Sequence, residues 1–155
     1  MTDTAQQRLE KLGLSLPTPV APVANYVPYV QTGNLLVISG QVSLTADGTL
    51  ITGQLGADVS LGRGVEAAVA CGLNLLAQTN AALDGDLERV TRCVRLGGFV
   101  NATADFTDHP KVINGASDLM VAVLGDKGRH ARFAVGAPSL PLGAAVEVDA
   151  MFELR

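Results

Sequence analysis

Residues 131–149 read ARFAVGAPSLPLGAAVEVD. Two short runs, Ala131–Val135 and Ala145–Asp149, flank a Gly/Pro-rich connection from Gly136 to Gly143. Each alternates with period two, which predicts a half-buried β-strand. Each also carries one charge, Arg132 or Glu147, among apolar neighbours. Paired as an antiparallel hairpin, the runs set Arg132 and Glu147 nearly opposite one another on one face. An arginine keeps its charge at any working pH and offers a planar fork of donors suited to a carboxylate. A glutamate can place or deprotonate a water where its surroundings tune it. The plainer alternative is a structural ion pair that locks the hairpin.

Upstream, residues 3–12 are rich in helix formers and stop at Gly13. Pro17, Pro19 and Pro22 then force an extended segment. Strands are expected from Tyr26 to Gln31 and from Asn34 to Val42, joined by a turn at Thr32-Gly33-Asn34. Helical spacing of Val65, Ala68, Val69, Gly72, Leu73, Leu76 and Leu83 predicts a helix from about Arg63 to Leu83. Val90–Val100 reads as a strand whose Gly97-Gly98 suggests a bulge or a close backbone approach. A second long helix starts at Asp108-His109-Pro110, with Asp108 or Thr107 as its cap, and is closed by Gly125. Apart from the leading helix, the order reads β-β-α-β-α-β, with one more strand possible around Leu50-Ile51-Thr52. One α+β domain over residues 1–155 follows, with 1–24 as N-terminal helix and Pro-rich segment. Its mixed sheet carries both long helices on one face. No third long helix remains for the other face, so oligomerisation through it is expected.

Composition narrows the function classes. Hydrophobic residues make up 48% and charged residues only 17%, while no apolar run approaches the ~20 residues that cross a bilayer. The excess apolar surface points to a subunit interface. The polar amino terminus lacks a signal-peptide layout, so a cytoplasmic protein without membrane contact is expected. A net charge of −4, scattered basic residues and 4% aromatics argue against nucleic acid as a partner. Cys71 and Cys93 lie outside any metal or redox spacing and read as small buried thiols.

Other candidates are fewer. In Ser39-Gly40-Gln41 two polar residues flank a glycine at the end of an apolar strand, where a ligand or another chain can approach the backbone; an ordinary strand end is the alternative. Asn114 lies on the polar side of the second long helix, as a ligand donor or a solvated amide. Tyr26 and Tyr29 can cover a pocket or bridge core and solvent. His109 reads as a cap-region residue and His130 as a loop residue, with neither at triad or metal spacing. Phosphate-loop, dinucleotide and zinc motifs are missing. No cofactor and no metal are expected.

Taken in order, Gly33-Asn34, Ile38-Ser39-Gly40-Gln41, Ala131-Arg132, Leu140-Pro141 and Val146-Glu147-Val148-Asp149-Ala150 resemble the Rid (YjgF) family of reactive-intermediate deaminases. The resemblance runs from about Tyr26 to Phe152. Asp108-His109-Pro110 and Val112–Leu119 are similar to the longer subgroup that carries an endoribonuclease or chorismate-mutase-like label. It implies a chorismate-mutase-like homotrimer with ligand clefts between subunits. It further implies hydrolysis of 2-imino (enamine) acids to 2-oxo acids and ammonia. Arg132 then anchors the substrate carboxylate and Glu147 lies near the attacking water. Ser39 with Gly40 lines the cleft and Asn114 sits at its edge. Tyr26 matches the family tyrosine by distance from the Gly-Asn turn and Tyr29 by local context; both stay open, with Tyr26 preferred. Ala134 stands where the deaminases carry cysteine. Two other functions remain: a non-catalytic trimer that binds small carboxylate metabolites and, third, an endoribonuclease.

Overall fold

The computed structural model describes residues 1–22 and 24–155. A helix α1 (Ala5–Lys11) leads into an extended segment, followed by β1 (Tyr29–Thr32), β2 (Leu35–Val42), α2 (Leu61–Ala82), β3 (Val90–Asn101), α3 (His109–Leu124), β4 (Ala131–Ala137) and β5 (Val146–Leu154). The five strands form one sheet in the order β1-β2-β5-β3-β4. Both long helices pack against each other and against one face of that sheet.

Local chemistry explains the helices. Thr4 and Gln7 form a reciprocal capping box at the start of α1. Ser60 caps α2 by accepting from the Arg63 amide at 3.1 Å. At α3 the expected cap does not form: Asp108 precedes the helix but makes no capping bond, and its carboxylate meets Lys111 at 3.3 Å instead. Small residues set how closely α2 and α3 approach. A Cβ on Gly115 would lie 2.5 Å from the Val65 carbonyl oxygen, and one on Gly72 would lie 3.5 Å from Ala116 Cα. Cys71 and Cys93 are buried and free; burial pushes the Cys93 thiol up to about 12.

The sheet departs from the hairpin expected at its end. The last two charged runs are separate strands that do not pair with each other, giving β-β-α-β-α-β-β. Because α3 separates β3 from β4, the chain returns in the same direction, and β4 pairs parallel to β3. Strand β5 then enters the middle of the sheet, antiparallel to both β2 and β3. Its residues alternate between buried and half-buried from Val146 to Leu154, with Val146, Val148, Ala150, Phe152 and Leu154 in the core. Residues 50–52 contribute only isolated bridges, Leu44 with Leu50 and Thr52 with Ala144.

Two glycine readings also change. The bulges of β3 fall beside Arg92 and Arg95 rather than at Gly97-Gly98. What approaches those glycines is side chains: Asp149 and Phe133 over Gly97, and Ile113 over Gly98. The second change lies in β2, which runs to Val42 as expected but bulges at Ser39-Gly40, two residues that face only Asp149 across the ladder. The sheet face away from the helices leaves Val30, Val37, Phe99 and Val135 between 36% and 52% exposed.

Candidate functional site

Arg132 and Glu147 do not meet within one copy of the chain. Arg132 is level with Leu96 of β3, whereas Glu147 is level with Phe99. Two strand spacings and three residues of rise put their Cα atoms on the order of 14 Å apart. They also leave opposite faces. Leu96 points into the core and Phe99 away from it, and each shares its face with the residue paired to it. The expected charge pair is thereby corrected: β3 lies between its two members. Around each charge the fold gathers a separate group of the other candidate residues.

The first group surrounds Glu147. Its carboxylate opens into a cavity of about 240 Å³ whose lining includes Tyr26, Ser39, Gly40, Gln41, Asn74 and Leu142. The bulge at Gly40 makes room for it, since a Cβ there would overlap Glu147 Oε1. Ser39 Oγ donates to the Val27 carbonyl at 2.7 Å, which ties the Tyr26 segment over the cavity. Among the described residues, no side chain or amide donates a hydrogen bond to the Glu147 carboxylate. Burial, and secondarily the neighbouring Asp149 charge, raise its pKa above the ordinary glutamate value. A half-buried carboxylate in that condition holds a proton more readily and has acceptor positions for a water or a ligand.

The second group surrounds Arg132, on the β4 edge of the sheet. Its Nη1 donates to Ser117 Oγ at 3.0 Å, and its Nη2 to the Pro110 carbonyl at 3.2 Å. Ser117 Oγ lies 2.8 Å from His130 Nε2, and His130 Nδ1 lies 2.6 Å from the Gly128 carbonyl. A carbonyl only accepts, so Nδ1 carries the proton. In the neutral ring Nε2 accepts from Ser117, whose oxygen accepts in turn from Arg132. The guanidinium is thus oriented by a chain of bonds running one way. Asn114 is exposed on α3 between Pro110 and Ser117, one helical turn from each.

As members of a site, Ser117 and His130 escaped the reading of the sequence, which took His130 for a loop residue. Their signal was there as spacing: Pro110, Asn114 and Ser117 share one helix face, and His130 and Arg132 share one strand parity. The remaining candidates lie away from the Glu147 cavity. Tyr29 pairs with Ile38 and packs partly buried against the core, so Tyr26 is the tyrosine in the cavity lining. Ala134 pairs with Gly98 and also packs against the core, two residues along from Arg132. His109 begins α3 and stacks edge-on with Phe106 at 5.3 Å between ring centres.

A sheet of this order with two helices on one face defines a chorismate-mutase-like α+β fold. The sequence profile described as "YjgF/chorismate_mutase-like, putative endoribonuclease" matches residues 6–154. The chain therefore belongs to the YjgF (Rid) family. It is 52% identical over 148 residues to Protein TCP17 of Trypanosoma cruzi, covering 95% of this chain and 92% of that protein. The crystal structure of Atu1372 from Agrobacterium tumefaciens, whose function is given as unknown, superimposes with a TM-score of 0.91 at 46% identity, over 97% of this chain and 92% of the other. A protein from Shewanella oneidensis that carries the same endoribonuclease description gives 0.94 at 38% identity, over 98% and 100%. Among the described residues, no helix is long and apolar enough to cross a membrane.

Proposed function

We propose that this protein hydrolyses 2-imino acids to 2-oxo acids and ammonia in a cleft completed by a second copy of the chain. One observation supports the reading above the rest. Glu147 is a half-buried carboxylate with a raised pKa and open acceptor positions, set in a cavity to which the described residues contribute no cation. The cation suited to a substrate carboxylate, Arg132, is held in a fixed orientation at the β4 edge, on the other face of the sheet. A neighbour's Arg132 brought to the Glu147 cavity unites the two. The exposed apolar residues of the uncovered sheet face supply surface for that association. A homotrimer is the assembly we assign.

The chemistry is undemanding. Arg132 and Asn114 hold the carboxylate, which places C2 of the imine beside Glu147. Glu147 takes a proton from water as the oxygen adds to C2 and passes it to the imine nitrogen. The carbinolamine hydroxyl proton then travels the same way, through Glu147 to nitrogen, as the C2–N bond breaks and ammonia leaves. The 2-oxo acid remains. Orientation supplies much of the rate, and a carboxylate acting as base and acid adds ~100- to 10,000-fold. Tyr26 closes the cavity over the reacting carbon.

Ammonia release from freshly generated 2-iminopropanoate tests this. Arg132→Ala and Glu147→Gln are each expected to abolish the acceleration. Co-assembly of the two inactive proteins is expected to restore roughly a quarter of the sites by random assortment. Full activity in Arg132→Ala removes the assigned anchor, and no recovery on co-assembly removes the shared cleft. Ala134, which stands where the deaminases carry cysteine, favours one second reading, a trimer that binds small carboxylates without turning them over. Binding of 2-oxo acids with no effect on imine decay establishes that alternative. The endoribonuclease label ranks third, because a net charge of −4 offers little for phosphate to bind.

A further inference from the structure

The Glu147 cavity is far larger than the chemistry at C2 requires. Its volume of about 240 Å³ compares with the ~150 Å³ of an apolar protein cavity that takes up benzene. Most of the wall is hydrocarbon, from Val20, Pro22, Val42, Leu44, Pro141 and Leu142. Three of the polar side chains around it have donors engaged with the backbone. Asn74 Nδ2 donates to the Leu44 carbonyl at 2.8 Å, Ser39 Oγ to the Val27 carbonyl at 2.7 Å, and Gln41 Nε2 to the Ser39 carbonyl at 3.0 Å. Beyond Glu147 and Tyr26, then, little is left to recognise a polar group.

Two features show that this wall is held in place. The extended segment before β1 is anchored by Gln78, itself 1% exposed, whose Nε2 donates to the Val20 carbonyl at 2.8 Å. On the other side Leu142 occupies a left-handed backbone conformation, φ 60° and ψ 13°, between Pro141 and Gly143. A leucine is strained there, yet its side chain stands 68% exposed at the cavity wall. Packing into the core does not explain that conformation.

We infer that this cavity is a side-chain subsite, and that the preferred substrates are 2-imino acids bearing a branched aliphatic or aromatic side chain rather than a methyl group. The inference rests on the imine-hydrolysis reading of the same site. The carboxylate lies with the neighbour's Arg132, C2 lies at Glu147, and the side chain runs inward between Val20–Pro22 and Pro141-Leu142.

Isothermal titration of the intact protein with pyruvate and with 4-methyl-2-oxopentanoate tests it, alongside turnover of the two corresponding imines. Each methylene buried from water is worth about fourfold in affinity. The branched acid is therefore expected to bind at least roughly tenfold more tightly, even with its side chain only partly enclosed. Leu142→Asn keeps a residue tolerant of positive φ and makes the wall polar, while Val42→Phe fills the cavity from its floor. Both are expected to narrow the preference to about threefold or less. Leu142→Asn changes an exposed position, so it reports even where Val42→Phe fails to fold. Equal or tighter binding of pyruvate overturns the subsite. A clear preference in binding without ammonia release keeps the subsite and overturns the hydrolytic reading; if neither acid binds, both fall.

Discussion

Gly40→Ala separates the position of the Glu147 carboxylate from the stability of the fold. In the present structure a Cβ on residue 40 overlaps Glu147 Oε1 and comes within 3.1 Å of its Cδ and 3.3 Å of its Cγ. Relaxed carbon contacts begin near ~3.5 Å, so the carboxyl group has to withdraw by on the order of 1 Å. Backbone strain is not involved, because Gly40 is not among the glycines with positive φ. The displaced atoms end a flexible side chain beside a cavity, so they have somewhere to go. Loss of a glycine also restricts the unfolded chain, which favours folding by ~0.4–1 kcal/mol. A misplacement of ~1 Å at a reacting group can cost on the order of a hundredfold in rate. The expected protein is therefore folded and assembled, melts within a few degrees of the parent, and releases ammonia from 2-imino acids about a hundredfold more slowly. Turnover assays with the imine generated in situ, paired with thermal unfolding, decide the matter. Parental turnover from a well-folded Gly40→Ala protein would show that the exact placement of Glu147 is immaterial, and with it the role assigned to that carboxylate.

Three further changes probe other parts of the structure. Ser117→Ala removes the acceptor of Arg132 Nη1 and the link to His130; with about 1 kcal/mol at stake, KM should rise roughly fivefold while kcat changes little, and an unchanged KM in steady-state kinetics rejects the orienting chain. Glu147→Gln should raise the unfolding midpoint at neutral pH while abolishing turnover. The sign follows from the raised pKa, caused by burial and then by Asp149: the folded state keeps the proton to higher pH than the unfolded chain, so this group's stabilising contribution is complete below the unfolded pKa and is lost as pH rises through the folded one. The gain should shrink as the buffer is acidified below the ordinary glutamate value, and thermal melts at the two pH values check it. Gly115→Ala drives a methyl group against the Val65 carbonyl between α2 and α3; overpacking of about 1–3 kcal/mol should appear as a lower midpoint in chemical denaturation, with the ligand preference intact.

The elements themselves were legible because each obeys one period. Apolar spacing gave α2 and α3 to within two residues at either end, alternation gave β4 and the first half of β5, and runs of β-forming residues gave β2 and β3, with β1 starting at Tyr29 rather than Tyr26. Pairing was not legible, for a physical reason. The segment Gly136–Gly143 has the composition of a turn, and turns join strands that pair, so a hairpin is the local solution. Topology overrides it: with α3 between β3 and β4, β4 is carried back to run parallel beside β3. A clue lay further on. Alternation does not stop at Asp149 but continues through Ala150, Phe152 and Leu154. A strand of that length, apolar on one face throughout, belongs in the middle of a sheet more readily than at its margin. The site followed the same pattern. Residues local to one strand or one helix face could be found, whereas the Ser117–His130 link depends on how α3 lies over β4.

The division of the candidate site into two groups follows from this topology. With β5 central and β4 at the margin, Glu147 and Arg132 leave opposite faces and are separated by β3. No rotamer of either side chain can join them inside one copy at a Cα separation on the order of 14 Å with the sheet between them. Among its described residues, a single copy holds a carboxylate without a cation in one place, and an oriented cation without an anionic partner in another. Each is poorly compensated alone, and each has the charge that the other place lacks. The apolar face that remains uncovered carries Phe99, the β3 residue level with Glu147. Whatever covers that face lies close to the Glu147 cavity, so a change to the interface and a change to the site will be hard to make independently. On the proposed reading, the helices, which pack on the other face, leave the chemistry to be completed by assembly.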